Sequence, residues 1–354
     1  MADLCILNDP LLEKAFKNHK KCVRTVDFSP TAKQLASGGD DSCVIVWNLQ
    51  PNMQAFRFLG HEGPVTCVHF SPTGDLLASA SRDRTVRLWV PKTKGQSVSF
   101  KPHVAPVRSV RFSNCGKLIA TTSDDKSIKV WNVHDQKFVC ALNQHTHWVR
   151  SARFSPDDKM MVSGSDDKTV RLWDFRTKEC IHTFTHPTGV ITDVIFHPVK
   201  TSVASSSGDV HNAAVKTIDF HPAGNFILTA SEDRTLKILD LLEGRLAYTI
   251  NAHTEPVHAV AFSRCGQWFA SGGNDLQVLV WKTNLKPLKV SGTSSKCEVV
   301  SEIHHEEPGA HEMPSLQHLN LENKSSSNGI EAPKLYEKIA TGSDVYVRKP
   351  DDYS

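Results

Sequence analysis

The sequence predicts an all-β fold, a closed ring of small antiparallel sheets of the β-propeller kind. Three observations carry that expectation. Seven times a Phe is followed thirteen residues later by an Asp: Phe28/Asp41, Phe70/Asp83, Phe112/Asp125, Phe154/Asp167, Phe196/Asp209, Phe220/Asp233 and Phe262/Asp275. Five of the six steps between successive Phe residues are 42 residues long, and the other, Phe196 to Phe220, is 24. Each full period holds four short apolar runs bounded by Gly, Pro, Ser or Asp. Self-similarity at about 40 residues, with four strand signals per period, is the pattern of a propeller blade.

The second repeat shows the elements in order. After His61 come Val65–Phe70, the turn Ser71-Pro-Thr-Gly74, Leu76–Ala80, the polar turn Ser81–Arg84, Thr85–Trp89 and finally Ser97–Phe100. The apolar runs are short and rich in β-branched residues, as strands are. The run Leu11–Phe16, just before His19, sits where an outermost strand belongs, whereas the last repeat stops at Trp281 without one. The first strand is therefore expected to complete the last blade, which removes an open sheet edge.

The short step locates a deletion. Asp-to-next-His spacing is 20 in most repeats, 19 from Asp167 to His186, and 2 from Asp209 to His211. The fifth repeat thus keeps two inner strands, expected at Ile191–Phe196 and Ser202–Ser206, and lacks the outer two. Strands within a blade alternate in direction, so losing an even number leaves the next blade running the right way. The expectation is seven inner strands, in six complete four-stranded blades plus one half blade. The competing picture is a six-blade ring with residues 187–210 extruded. A half blade exposes a strand edge and should be less stable than an uninterrupted relative.

Polar positions repeat as faithfully as apolar ones. His precedes Asp by 22 residues in six repeats: His19/Asp41, His61/Asp83, His103/Asp125, His145/Asp167, His211/Asp233 and His253/Asp275. Six residues after the Asp stands Trp47, Trp89, Trp131, Trp173, Leu239 or Trp281, and nine after the Phe stands a hydroxyl such as Ser79 or Ser163. An indole N–H, a hydroxyl, an imidazole and a carboxylate satisfy one another in a chain, and an unpaired member is costly to bury. Six copies at equal spacing indicate a scaffold's internal bonds; an active site rarely recurs in every blade.

These motifs, among them Ser165-Asp-Asp-Lys-Thr-Val-Arg-Leu-Trp173, make residues 11–281 resemble WD-repeat (WD40) proteins. Two stretches narrow the resemblance to the centriolar WD-repeat family named protein of centriole. They are Thr229–Leu246, with Leu239 in place of Trp, and Phe269-Ala-Ser-Gly-Gly273 with Gln277-Val-Leu-Val-Trp281. The resemblance implies a cytoplasmic, cytoskeletal location at centrosomes, centrioles and cilium basal bodies. It also implies protein partners in the centriole or microtubule wall, and roles in centriole assembly and stability and in cilium formation. Family members usually carry a C-terminal coiled coil; no heptads follow Trp281 here, so the chain looks like a variant form of a longer protein.

Composition is that of a globular domain, with 39% hydrophobic residues and no run long enough to span a membrane. The acidic N-terminus has no signal-peptide pattern. Nine dispersed Cys without a CxxC pair read as reduced core thiols. Residues 1–10 read as an extension, 11–282 as the propeller, and 283–354 as a mostly disordered tail. The tail has 8 Lys/Arg against 11 Asp/Glu; residues 1–282 have 33 against 27. That excess is too small to indicate nucleic-acid binding. No cofactor motif, phosphate-cradling loop or small-molecule site is evident. His304, His305 and His311 form a tail cluster with no ordered frame for a metal, and Asn323-Lys-Ser matches a glycosylation sequon by pattern only.

Two surface features remain. The turn after the second strand carries Arg82, Arg84, Lys126, Lys168 and Arg234, and Trp148 occupies a loop position held elsewhere by Cys22, Pro64, Pro106, Ala214 and Pro256. Together they are a candidate interaction face, with Trp148 as its anchor; a merely solvated rim is the plainer reading. On the opposite face Trp173-Asp174-Phe175-Arg176 resembles the motif by which some WD-repeat proteins dock to a cullin ubiquitin-ligase adaptor. The leading expectation is a non-enzymatic interaction scaffold, and the alternative is a ligase substrate receptor.

Overall fold

The structure, a computed structural model, describes residues 10–51, 53–92, 96–185, 189–199, 202–206, 211–283 and 285. All regular elements among them are strands. They form six four-stranded antiparallel sheets and one two-stranded sheet. Numbered in chain order, blades 1–4 and 6 are each a four-stranded meander, and blade 5 is the pair Val194–Phe196 and Val203–Ser205. Blade 7 consists of Val257–Phe262, Trp268–Gly273 and Gln277–Lys282, completed by the N-terminal strand Leu11–Lys17. The expected closure is present: Leu12 pairs with Trp281 and Phe16 with Val278.

Strand formation follows burial. The innermost strands of blades 1 to 4 repeat one alternation of buried and half-buried positions, and the second strands are almost wholly buried. Seven apolar clusters fill the seven blade-to-blade interfaces. Blade 5 takes part in two of them, with Val194 and Phe196 facing blade 4 and Ala204 facing blade 6. Each of these two clusters has six buried members, against nine to eleven in the others, so this seam is the thinnest part of the ring.

Blade 5 therefore stays in the ring and is not extruded, but its strands are shorter than the sequence suggests. Ile191–Asp193 is not strand. Ile191 is buried against blade 4, and Asp193 turns its carboxylate to its neighbours. That carboxylate accepts hydrogen bonds from Ser151 Oγ (2.7 Å), Arg153 Nη2 (3.1 Å) and the backbone N–H of Ile218 (3.3 Å). On the far side His197 Nε2 lies 3.0 Å from the Gly224 carbonyl of blade 6. Blade 5 is thus tied to blades 4 and 6 by polar bonds as well as by apolar packing.

One irregularity recurs. The ladder between first and second strands slips at Arg24, Thr66, Arg108, Arg150, Lys216 and His258, one residue in each complete blade. Such a bulge re-aims the extra residue's side chain. Here all six line the central channel.

Seven of the nine cysteines are described, all as free thiols. Cys22, Cys43, Cys67 and Cys140 are buried, but Cys115 and Cys265 are exposed. The core-thiol expectation fails for those two because they sit in the turn after the first strand. Cys5, Cys297, His186, Asp209, Asn323, His304, His305, His311 and the tail beyond 285 lie outside the described residues.

Candidate functional site at the mouth of the central channel

The blade network comes first because it fixes the loops. In blade 2 the Trp89 indole N–H donates to Ser79 Oγ (2.8 Å), Ser79 donates to His61 Nε2 (2.7 Å), and His61 Nδ1–H donates to Asp83 (2.8 Å). Each hydroxyl has one proton, so this direction of donation places the imidazole proton on Nδ1. The same chain runs Trp131–Thr121–His103–Asp125, Trp173–Ser163–His145–Asp167, Trp281–Ser271–His253–Asp275 and Trp47–Ser37–His19–Asp41. In blade 6 it shortens to Thr229–His211–Asp233, because Leu239 has no N–H to give.

The six imidazole side chains are fully buried. Burial lowers the His145 and His211 pKa values despite the carboxylates beside them. Burial alone would raise the Asp125 carboxyl, yet the bonds from His103 and Ser127 outweigh it and hold it at about 2. Asp83 is depressed in the same way by His61 and Thr85. Every polar group of the network is thereby engaged inside its blade.

A second ring lies at the channel mouth, where one backbone bond joins two loops. The Asp166 N–H donates to the Trp148 carbonyl (3.0 Å), and equivalent bonds run from Asp40, Arg82, Asp124, Glu232 and Asn274 to the loops before their blades. In five of the six complete blades the bulge residue meets the turn residue sixteen positions later. Arg24 grips Asp40 (2.7–3.0 Å), Arg108 grips Asp124 (2.6 Å twice) and Arg150 grips Asp166. Lys216 meets Glu232 at 2.7 Å, and His258 Nε2 donates to Asn274 Oδ1 (3.2 Å). Two-point guanidinium–carboxylate pairs of this kind are directional and strong. Burial, reinforced by nearby Arg24, pushes the His258 pKa down to about 4, so it stays neutral.

Trp148 joins this ring. The guanidinium carbons of Arg108 and Arg150 each lie 5.3 Å from its ring centroid, while 39% of the residue remains exposed. It therefore staples blade 3 to blade 4 and still presents surface. Arg82, Arg84, Lys126, Lys168 and Arg234 are all exposed on the same face. Arg84, Lys126, Lys168 and Arg234 adopt positive φ of 63–72° at the turn. The other motif lies at the far end of blade 4. Trp173 is buried, and Asp174 Oδ1 accepts from the Arg176 N–H (2.7 Å) and the Thr177 N–H (3.2 Å), leaving the Arg176 side chain exposed.

Sequence reasoning missed the bulge ring, although the signal was there: cations four residues before the Phe and acids twelve after it. It also missed the channel interior. There Asp27, His69 and Asp219 each accept the backbone N–H of the next complete blade's Phe, at 2.6, 3.1 and 2.7 Å. Burial raises the Asp27 carboxyl to about 6 against the pull of Arg111. Among the described residues no group of three His, Cys, Asp or Glu is gathered to hold a metal, and no helix is long and apolar enough to cross a membrane.

The repeats match the family described as WD domain, G-beta repeat, at seven places: 11–48, 53–90, 95–132, 136–174, 178–209, 210–240 and 244–282. Curated relatives match over one short stretch. The POC1 centriolar protein homolog A of Xenopus tropicalis is 58% identical over 50 residues, 14% of this chain and 11% of that protein. The POC1 centriolar protein homolog B of Xenopus laevis is 52% identical over 52 residues, 15% of this chain and 11% of that protein. Homolog A of Danio rerio is 49% identical over 51 residues, covering 14% and 12%. The matched stretch is thus about a ninth of the length of these relatives.

Proposed function

We propose that this chain, which belongs to the WD-repeat (WD40) family, is a non-enzymatic protein-interaction scaffold of centrioles and basal bodies. In that role it would support centriole assembly and stability and cilium formation, with its partners in the centriole or microtubule wall. Residues 11–282 are the working unit. The observation that carries the reading is the 58% identity, over 50 residues, to a protein named as centriolar. The geometry supports the scaffold part: the repeated His, Asp and hydroxyl groups, which have the chemistry of a catalytic site, are committed to bonds within their own blades. A rigid ring with engaged polar groups offers surfaces, and propellers use surfaces for many tasks.

The candidate face is the channel mouth with Trp148, Arg82, Arg84, Lys126, Lys168 and Arg234. Aromatic and arginine side chains at the centre of a patch are the usual anchors of an interface. The test is fluorescence localisation of the full chain in dividing cells. Paired foci that coincide with a centriole marker are expected, and a diffuse signal overturns the reading. Trp148→Ala should disperse those foci while Arg176→Ala leaves them intact. The reverse result would move the working surface to the opposite face and favour ligase-adaptor docking.

A further inference from the structure

The mouth ring is incomplete at one blade. Four of the six bulge residues are cations paired with an acid sixteen residues later, and His258–Asn274 is a neutral version of the same pair. In blade 2 the order is inverted: the bulge residue is Thr66 and the turn residue is Arg82. Thr66 Oγ1 lies within hydrogen-bond distance of the carbonyls of Ala80 (3.2 Å) and Val107 (2.8 Å). Arg82 makes no side-chain hydrogen bond or ion pair among the described residues. A second guanidinium without a hydrogen-bonded acceptor lies in the same channel. Arg111 forms no hydrogen bond or ion pair there either, and its Nε is buried without a partner. It feels Asp27, Asp193 and Asp219 only through space. Burying a guanidinium donor without an acceptor is unfavourable, so the site gains when an acceptor arrives.

We infer that an acidic peptide segment docks at the channel mouth, with a carboxylate meeting Arg82 at the rim. Resting on the scaffold reading, this inference names its partner's chemistry. Three features of the channel select that occupant. First, the paired blades show what this ring binds, since Arg24, Arg108 and Arg150 each hold a carboxylate through two bonds. Second, the channel cavity measures about 320 Å³, which accommodates one or two side chains and no folded domain. Third, the Trp148 ring is already engaged by two guanidinium groups, so it offers no stacking platform for nucleobases. At the other end of the channel, Arg264 of blade 7 donates to the Pro72 carbonyl of blade 2 (3.3 Å), which narrows that exit.

The test is fluorescence anisotropy of labelled hexaglutamate with the purified full-length chain, with hexaglutamine and myo-inositol hexakisphosphate as the other ligands. Binding of hexaglutamate that weakens with salt is expected. It should fall about tenfold or more in Arg82→Ala, vanish in Arg82→Glu, and be unchanged in Arg176→Ala. Arg82 is exposed and unpaired, so these variants should melt with the wild type; Arg111→Met is a deeper probe, to be read only if it does too. Equal affinity for Arg82→Glu and wild type overturns the inference, as does equal binding of hexaglutamine. Binding of inositol hexakisphosphate without hexaglutamate also overturns it, by making the site one for phosphate. Absence of hexaglutamate binding by the wild-type chain, with centriolar foci present, counts against this inference alone. A diffuse cellular signal with Arg82-dependent peptide binding counts against the centriolar reading alone.

Discussion

Blades 4 and 5 are neighbours and show two ways of holding a place in a ring. Blade 4 has four strands and the full Trp173–Ser163–His145–Asp167 chain, so its loops are fixed from within. Blade 5 has two strands of three residues and no Trp, and is held from outside. Asp193 binds blades 4 and 6, and His197 reaches Gly224. Inner strands are therefore enough to keep a sector of the ring closed, because the bonds they make to neighbouring blades are ones that complete blades make too, as Thr217–Val260 and His221–Gly266 do. Outer strands and the indole give a blade its own cohesion.

The comparison is broken most directly at Asp193. Asp193→Ala removes the carboxylate that Arg153 and Ser151 use and leaves a largely buried guanidinium short of a partner. It should cost about 3–5 kcal/mol, read as a fall in thermal midpoint. A loss under 1 kcal/mol would mean that apolar packing alone holds blade 5. Gly224→Ala comes next. Gly224 has φ of +78°, and an added Cβ would meet the His197 ring at 2.2 Å. A loss of about 2 kcal/mol is expected, with faster hydrogen exchange at 194–205 and little change in blade 4. In blade 4, Trp173→Phe deletes one indole donor and should cost about 1–2 kcal/mol, without opening blade 5.

Acid should weaken the complete blades, where the shifted histidines sit. The folded pKa values of His145, His211 and His258 lie below the unfolded value of about 6.5. The unfolded chain then binds more protons, so the stability these residues give is fully present above pH about 6.5 and is lost as pH falls. For His258 the window runs down to about 4. Asp27 has the opposite sign: its folded pKa of about 6 lies above the unfolded value, so its unfavourable contribution shrinks as pH falls through 6. Thermal midpoints between pH 4 and 8 should therefore drop on the acid side, less steeply in His258→Gln and more steeply in Asp27→Asn. The smallest effect expected is at Lys168, whose φ is +63°. Lys168→Gly should stabilise by about 0.5–1 kcal/mol, with the fold and blade 5 unchanged.

Much of this molecule is written at constant sequence offsets, and those parts are legible. The His-to-Asp step of 22 and the Phe period of 42 give the blades, their internal hydrogen-bond partners and the closure by Leu11–Lys17. The 24-residue step marks the deletion and, through strand parity, allows the ring to continue. The bulge residues are partly legible. Arg108 and Asp124 stand sixteen apart like their counterparts, but a period-2 reading of Val107–Phe112 gives no hint that the ladder slips and turns Arg108 into the channel.

What the chain settles alone is the repeat, because neighbours within a blade recur at fixed separations and each copy reports the same contact. What only the folded ring decides is how the copies meet where the repeat fails. Asp193 reaches Ile218 across 25 residues and His197 reaches Gly224 across 27, the 43- and 45-residue contacts of Thr217–Val260 and His221–Gly266 with the deleted residues taken out, and only the closed ring shows that they survive the deletion. Trp148 between Arg108 and Arg150, and Arg82 without an acid, are likewise products of side chains from different blades converging on one axis. Convergence of that kind depends on three-dimensional closure, which no single period encodes.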